Sequence, residues 1–109
     1  REAREYLSER LDQFAGGMEL DYDGVQIRNQ RTRWGSCSTN GTISLNWRLL
    51  MAPPEVIDYV VVHELAHLRE PNHTDAFWSL VAEYIPEYEA HEDWLEENST
   101  RLVFSADDL

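Results

Sequence analysis

The sequence predicts an α+β domain: one helix, a small three-stranded antiparallel sheet, then helices to the end of the chain. Three observations carry this. Apolar residues recur at helical spacing near the start, alternate with polar ones across the middle, and return to helical patterning after Pro53-Pro54. With 109 residues and a 42 % apolar fraction, the chain suits a single domain over residues 1–109 with one core. It opens on Arg1 rather than Met and reads as the C-terminal part of a longer protein.

In chain order, Ala3, Leu7, Leu11 and Phe14 recur every three or four residues, which predicts a helix over 2–15 ended by Gly16-Gly17. Val25 and Ile27 alternate with polar neighbours and predict a short strand. Residues 33–38 read as a second strand. Asn40-Gly41 then tolerates the positive φ of a tight hairpin turn, and Ile43, Leu45 and Trp47 alternate as a third strand. Trp34 and Trp47 are expected to pack in the core across that hairpin. Pro53-Pro54 opens a helix over about 55–69. Its apolar residues go almost all the way round, the mark of a buried helix. Pro71 stops it. Asn72 reads as the next N-cap, with Asp75 three residues on. Phe77, Leu80, Val81 and Tyr84 form that helix's core stripe. Pro86 opens a last, acidic helix to about residue 98, and the tail 105–109 is expected to fray.

The charge balance excludes some functions. There are 21 acids against nine basic residues, all of them Arg, for a net charge of −12. Such a surface repels a nucleic-acid backbone, so direct nucleic-acid binding is not expected; Arg28, Arg31 and Arg33 are the one local exception. An acidic, lysine-free surface suits high salt and suggests a halophilic source. Cys37 is the only cysteine, so no internal disulfide forms, in keeping with a reducing cytoplasm. No apolar run is long enough to span a membrane or to read as a signal peptide.

His63-Glu64-Leu65-Ala66-His67 is an HExxH motif inside the predicted buried helix. Residues four apart lie one turn apart on the same face, so both imidazoles can point at one ion. Glu64 sits about 100° further round. It falls beside the metal, where it can take a proton from a zinc-held water. Two histidines and a glutamate in an apolar helix are costly without such compensation. A catalytic zinc needs a third protein ligand and an open position. His73 follows His67 at the interval found in HExxHxxGxxH metalloproteases, although Glu70 stands where their glycine turns the chain. Pro71 and an Asn72 cap would turn it instead, putting His73 in the first turn of the next helix. Cys37 is a rival third ligand, since deformylases combine an upstream Cys with HExxH. For orienting the imidazoles, Asp75, Asn72 and Glu70 are the nearest candidates in sequence.

The segments Arg33-Trp34-Gly35-Ser36-Cys37-Ser38, Ile43-Ser44-Leu45-Asn46-Trp47-Arg48-Leu49, Val60-Val61-Val62-His63-Glu64-Leu65-Ala66-His67-Leu68, Asn72-His73 and Phe77-Trp78 together resemble the YgjP-like metallopeptidases, relatives of the SprT-like and WLM (Wss-type) proteases. The resemblance is dense from about Arg31 to Trp78 and loose elsewhere. It implies a minimal zincin-like core, zinc as the cofactor, His63, His67 and His73 as its ligands, Glu64 as the catalytic base, and a protein or peptide substrate. The 33–38 strand would then bind an extended peptide by strand addition. Gly35 would permit close approach, Arg33 would hold a carboxylate or oxyanion, and Trp34 would line the same site.

The residues therefore point first to a zinc hydrolase, and the resemblance implies that it is a metallopeptidase. Two alternatives stay open: a zinc amidohydrolase with Cys37 as third ligand, and a non-enzymatic module that zinc merely stabilises.

Overall fold

The computed structural model describes residues 2–28 and 34–102. The architecture is α+β, with four helices and a three-stranded sheet. Helix α1 (Glu2–Met18) buries Leu7, Leu11, Ala15 and Met18, one stripe at helical spacing, against the helix that carries HExxH. Arg10 fixes the pairing with two hydrogen bonds of 2.9 Å to Asp58. The helix does not stop at Gly16-Gly17 but runs one residue further to Met18, which is itself core. It ends where Glu19 turns left-handed at φ 56°. Glu19 N–H then bonds to Gly16 O and Leu20 N–H to Ala15 O, the two reversed bonds of a Schellman stop.

The sheet is mixed rather than antiparallel throughout. Strands β1 (Gly24–Arg28), β2 (Gly35–Cys37) and β3 (Thr42–Asn46) lie in the order β1-β3-β2. The hairpin turns at Gly41, φ 92°, and pairs β2 with β3 antiparallel, Gly35 opposite Leu45. β1 pairs with β3 in parallel, Val25 beside Ile43 and Ile27 beside Leu45. The three strands still alternate in direction along the chain; what the alternation does not specify is which strand sits in the middle. Burial decides that. Ile43 and Leu45 of β3 are fully buried, whereas Val25 and Ile27 of β1 are half-buried, so β3 takes the centre. Arg31 and Arg33 lie outside the described residues.

Trp47 is not part of the third strand. Asn46, buried, ends β3 and accepts the N–H of Arg48 with its side chain, which starts a 3₁₀ turn over Trp47–Met51. Trp47 is consequently 41 % exposed and does not meet Trp34 in the core. Trp34 is fully buried and packs instead on Trp94, ring centroids 6.4 Å apart.

Helix α2 (Pro54–Ala66) is the hub, packed by α1, β2 and both following helices. Every residue from Tyr59 to Ala66 is buried, as the all-round apolar pattern predicts. It closes earlier than residue 69 because Leu68 and Arg69 donate to carbonyls three residues back, tightening the last turn. Helix α3 (Asp75–Tyr84) follows. Its cap is Thr74, whose hydroxyl accepts Phe77 N–H; Asn72 does not fill that role. Helix α4 (Tyr88–Leu102) lays Leu95 and Trp94 against the core and turns Glu89, Asp93, Glu96 and Glu97 outward. Among the described residues no helix is long and apolar enough to cross a membrane.

Candidate metal centre

His63 and His67 stand one turn apart at the C-terminal end of α2, with ring centroids 5.0 Å apart. His73 comes from the connection to α3. Because Thr74 is the cap, His73 sits just ahead of the helix rather than in its first turn. It still reaches the pair, its Nε2 lying 3.3 Å from His63 Nε2. One ring nitrogen from each histidine lies within 4.8 Å of the others. Burial falls along the series: His63 is buried, His67 half-buried and His73 exposed, so the cluster opens to solvent on one side.

The outward nitrogens are occupied. His67 Nδ1 donates to the carbonyl of Glu70 at 3.1 Å, which leaves its Nε2 with a lone pair for the cluster. His63 Nδ1 meets the hydroxyl of Tyr59, fully buried one turn back on α2, at 3.2 Å. Orientation thus comes from Tyr59 and from the backbone of Glu70. Asp75 is exposed at the start of α3 and Asn72 is exposed before it. Burial lowers the pKa of His67, and the neighbouring His73 pulls the same way, while the carbonyls of Glu70 and Pro71 oppose them. The balance favours the neutral imidazole that a metal requires.

An aromatic layer from α3 holds the rings. Phe77, fully buried, stacks on His67 at 4.5 Å and meets His63 and His73 edge-on at 4.9 and 5.0 Å. Trp78 stacks on His73 at 5.7 Å and is itself backed by Tyr88 at 5.0 Å.

Glu64 points from the buried helix toward β2 and is 1 % exposed. Gly35 makes room for it. A Cβ on Gly35 would lie 3.3 Å from Glu64 Cγ and 3.1 Å from Ser44 O. The missing side chain therefore accommodates a protein carboxylate and the partner strand, a closer constraint than the substrate approach expected of it. Glu64, His67 and His73 line a cleft of about 870 Å³ with Gly35, Ser36 and Cys37 along its wall. β2 is an edge strand, so this wall is a strand border with one side paired to β3.

Not every predicted residue is brought to the cleft. Trp34 has no exposed surface and is core, not a substrate contact. Arg33 is outside the described residues. Cys37 lines the cleft, but among the described residues the potential metal-binding group is His63, His67 and His73 without it. Its thiol is pushed up to about 11, mainly by burial and then by the charge of Glu64. Sequence reasoning missed Tyr59, although its position four residues before His63 places it on the same helix face. It took Phe77 for ordinary core, although Phe77 follows His73 by the same interval.

A helix-borne HExxH pair, a third histidine from the next connection and a bordering edge strand define a protein of the metallopeptidase class. The chain belongs to the YgjP-like family, whose metallopeptidase domain matches residues 1–98. Among solved structures it is similar to the metallopeptidase zymogen abylysin of Pyrococcus abyssi, at 26 % identity and TM-score 0.78, over 91 % of this chain and 97 % of that one. It shares the fold of the zymogen jannalysin of Methanocaldococcus jannaschii, at 19 % identity and TM-score 0.71, over 87 % and 96 % of the two chains. No curated protein matches the chain by sequence.

Proposed function

We propose that the chain is a zinc-dependent peptidase with His63, His67 and His73 as metal ligands and Glu64 as general base. The observation that carries this is the convergence of three ring nitrogens within 4.8 Å beside a buried glutamate, in a cleft walled by an edge strand. The donor set fits zinc. Three imidazoles supply borderline-soft nitrogen ligands, and the exposed side at His73 leaves the fourth position open to the cleft. Zinc held there would supply Lewis acidity, lowering the pKa of water and polarising a peptide carbonyl.

The chain's own residues do the rest. A substrate segment runs antiparallel along the border of β2 and exchanges main-chain hydrogen bonds with it. Glu64 accepts the proton of the attacking water and returns it to the leaving amine. Phe77 and Trp78 keep the imidazoles from turning. Arg33 is proposed to hold a substrate carboxylate or the developing oxyanion.

The test pairs two variants with metal analysis. Glu64→Gln keeps its zinc and loses hydrolysis of an unstructured protein substrate. If that variant cleaves as well as the parent, the mechanism fails. His73→Ala loses metal and Cys37→Ala keeps it. The opposite result would make Cys37 the third ligand and favour an amidohydrolase acting on small amides.

A further inference from the structure

We propose that the corner formed by Trp47, Arg48, Leu50, Met51 and Arg28 is a docking surface, outside the cleft, for an acidic, apolar-bearing segment of the protein substrate. Among the described residues the large exposed hydrophobics are Trp47 at 41 %, Leu50 at 40 % and Met51 at 60 %, all in one 3₁₀ turn. A single exposed leucine needs no explanation; three large apolar side chains within five residues mark an interaction site. Arg48 lies over the Trp47 ring at 5.1 Å, which presents an aromatic face and a cation side by side. Arg28, exposed at the end of β1, is in register with Asn46, the residue before Trp47.

Charge identifies the occupant. Residues 24–54 contain four of the nine arginines and none of the 21 acids; every acid of the chain lies outside that stretch. Among the described residues of the sheet and its 3₁₀ turn the charged side chains are Arg28 and Arg48, both cationic, on a molecule of net charge −12. Its complement is anionic. Trp, Arg and Met are also the side chains enriched where proteins bind proteins. Leu50 and Met51 offer no plane on which a base could stack, and the overall charge repels a polyphosphate, which disfavours single-stranded nucleic acid. A second copy fits poorly. Its described acidic surfaces carry no large exposed hydrophobic to fill the patch, and patch against patch would bring arginine to arginine.

The location gives the surface its use. A chain lying antiparallel on β2 runs from Cys37 toward Gly35 and leaves the cleft at the end of the sheet where β3 hands over to Trp47. The corner would hold the part of the substrate that lies C-terminal to the cleavage point. That use rests on the peptidase reading, but docking is measurable without turnover.

The probes are short fluorescein-labelled peptides added to Glu64→Gln protein: one of Asp and Glu interspersed with Leu and Phe, the same with Ser at the apolar positions, and the same with Lys for the acids. A labelled single-stranded DNA is the fourth probe. The acidic apolar peptide is expected to bind best by anisotropy. Trp47→Ala and Met51→Ser should each weaken it by about tenfold or more, with melting temperature and zinc content unchanged. Arg28→Glu should weaken it further as salt is lowered. The proposal is overturned if Trp47→Ala binds as the parent does, if the DNA binds more tightly than the acidic peptide, or if sedimentation shows self-association that Trp47→Ala abolishes. Loss of peptide cleavage activity with docking intact would sink the peptidase reading and leave the surface standing.

Discussion

Replacing Tyr59 with Phe removes one hydroxyl and leaves the ring, so it isolates a single hydrogen bond to a proposed metal ligand. Tyr59 is fully buried and His63 is 2 % exposed, with Oη and Nδ1 3.2 Å apart. If His63 uses Nε2 for zinc, Nδ1 carries the proton and donates it to the Tyr59 oxygen. Burial raises the Tyr59 pKa, and the nearby charges of Glu92 and Glu64 push it the same way, so the phenol stays neutral. After Tyr59→Phe no water readily replaces the lost partner. A buried donor left unmade costs about 1–3 kcal/mol. At about 1.4 kcal/mol per tenfold, zinc affinity should fall by roughly 10- to 100-fold, the range seen when a residue behind a metal ligand is removed. Competition with a chromophoric chelator measures this on metal-free protein. Circular dichroism run alongside separates loss of affinity from loss of fold. An affinity unchanged within about twofold, in a folded variant, would mean that Tyr59 does not orient His63.

Three further outcomes follow from the geometry. The Cys37 thiol, pushed up to about 11 by burial and Glu64, should react with iodoacetamide about a hundredfold more slowly at neutral pH than an ordinary thiol. The raised pKa means the protonated form is favoured by folding, so this stabilisation is complete below the ordinary thiol range and is lost as pH rises through about 11. Alkylation should therefore accelerate with pH and in Glu64→Gln; a fast, pH-independent rate would contradict the burial. Gly35→Ala forces a Cβ to 3.1 Å from Ser44 O and 3.3 Å from Glu64 Cγ. It should destabilise the protein by about 1–3 kcal/mol and, by displacing Glu64, cut turnover by about a hundredfold while zinc stays bound. Glu19→Gly relieves a left-handed residue at φ 56° and should stabilise the chain by about 1 kcal/mol, read as a rise of roughly 4 °C or more in thermal melting.

Much of this molecule is visible in its sequence, and the parts that are not share a cause. The buried α2 announces itself because its apolar residues surround it, and HExxH fixes two rings on one face by helix geometry alone. The order β1-β3-β2 does not announce itself. Alternation gives each strand a buried face and a direction, but only packing against the rest of the chain puts β3 in the centre. The ends of elements are similarly hidden. Gly16-Gly17 has the composition of a helix stop, yet Met18 has a core site waiting, and one more buried side chain outweighs the cost of turning at Glu19. Trp47 continues the alternation on paper, but Asn46 captures the N–H of Arg48 and turns the chain before Trp47 can pair.

The same logic explains why His73 reaches the cluster without the glycine of HExxHxxGxxH. A glycine there lets the backbone turn sharply after the second histidine. Here the turn is made by ending α2 at Ala66, tightening Leu68 and Arg69 onto the last carbonyls, and letting Glu70 offer its own carbonyl to His67 Nδ1. Glu70 thereby does two things at once: it redirects the chain and it fixes the tautomer of His67. Pro71 prevents the helix from resuming, and Thr74 starts α3 one residue after His73. Because the cap lies after the histidine, the ring is free of helical constraint and is located by Phe77 and Trp78 instead. The third arm of the cluster is thus held by packing from α3, whereas the first two are held by the periodicity of α2. Substitutions in α3 that leave every proposed ligand in place should therefore loosen His73 first.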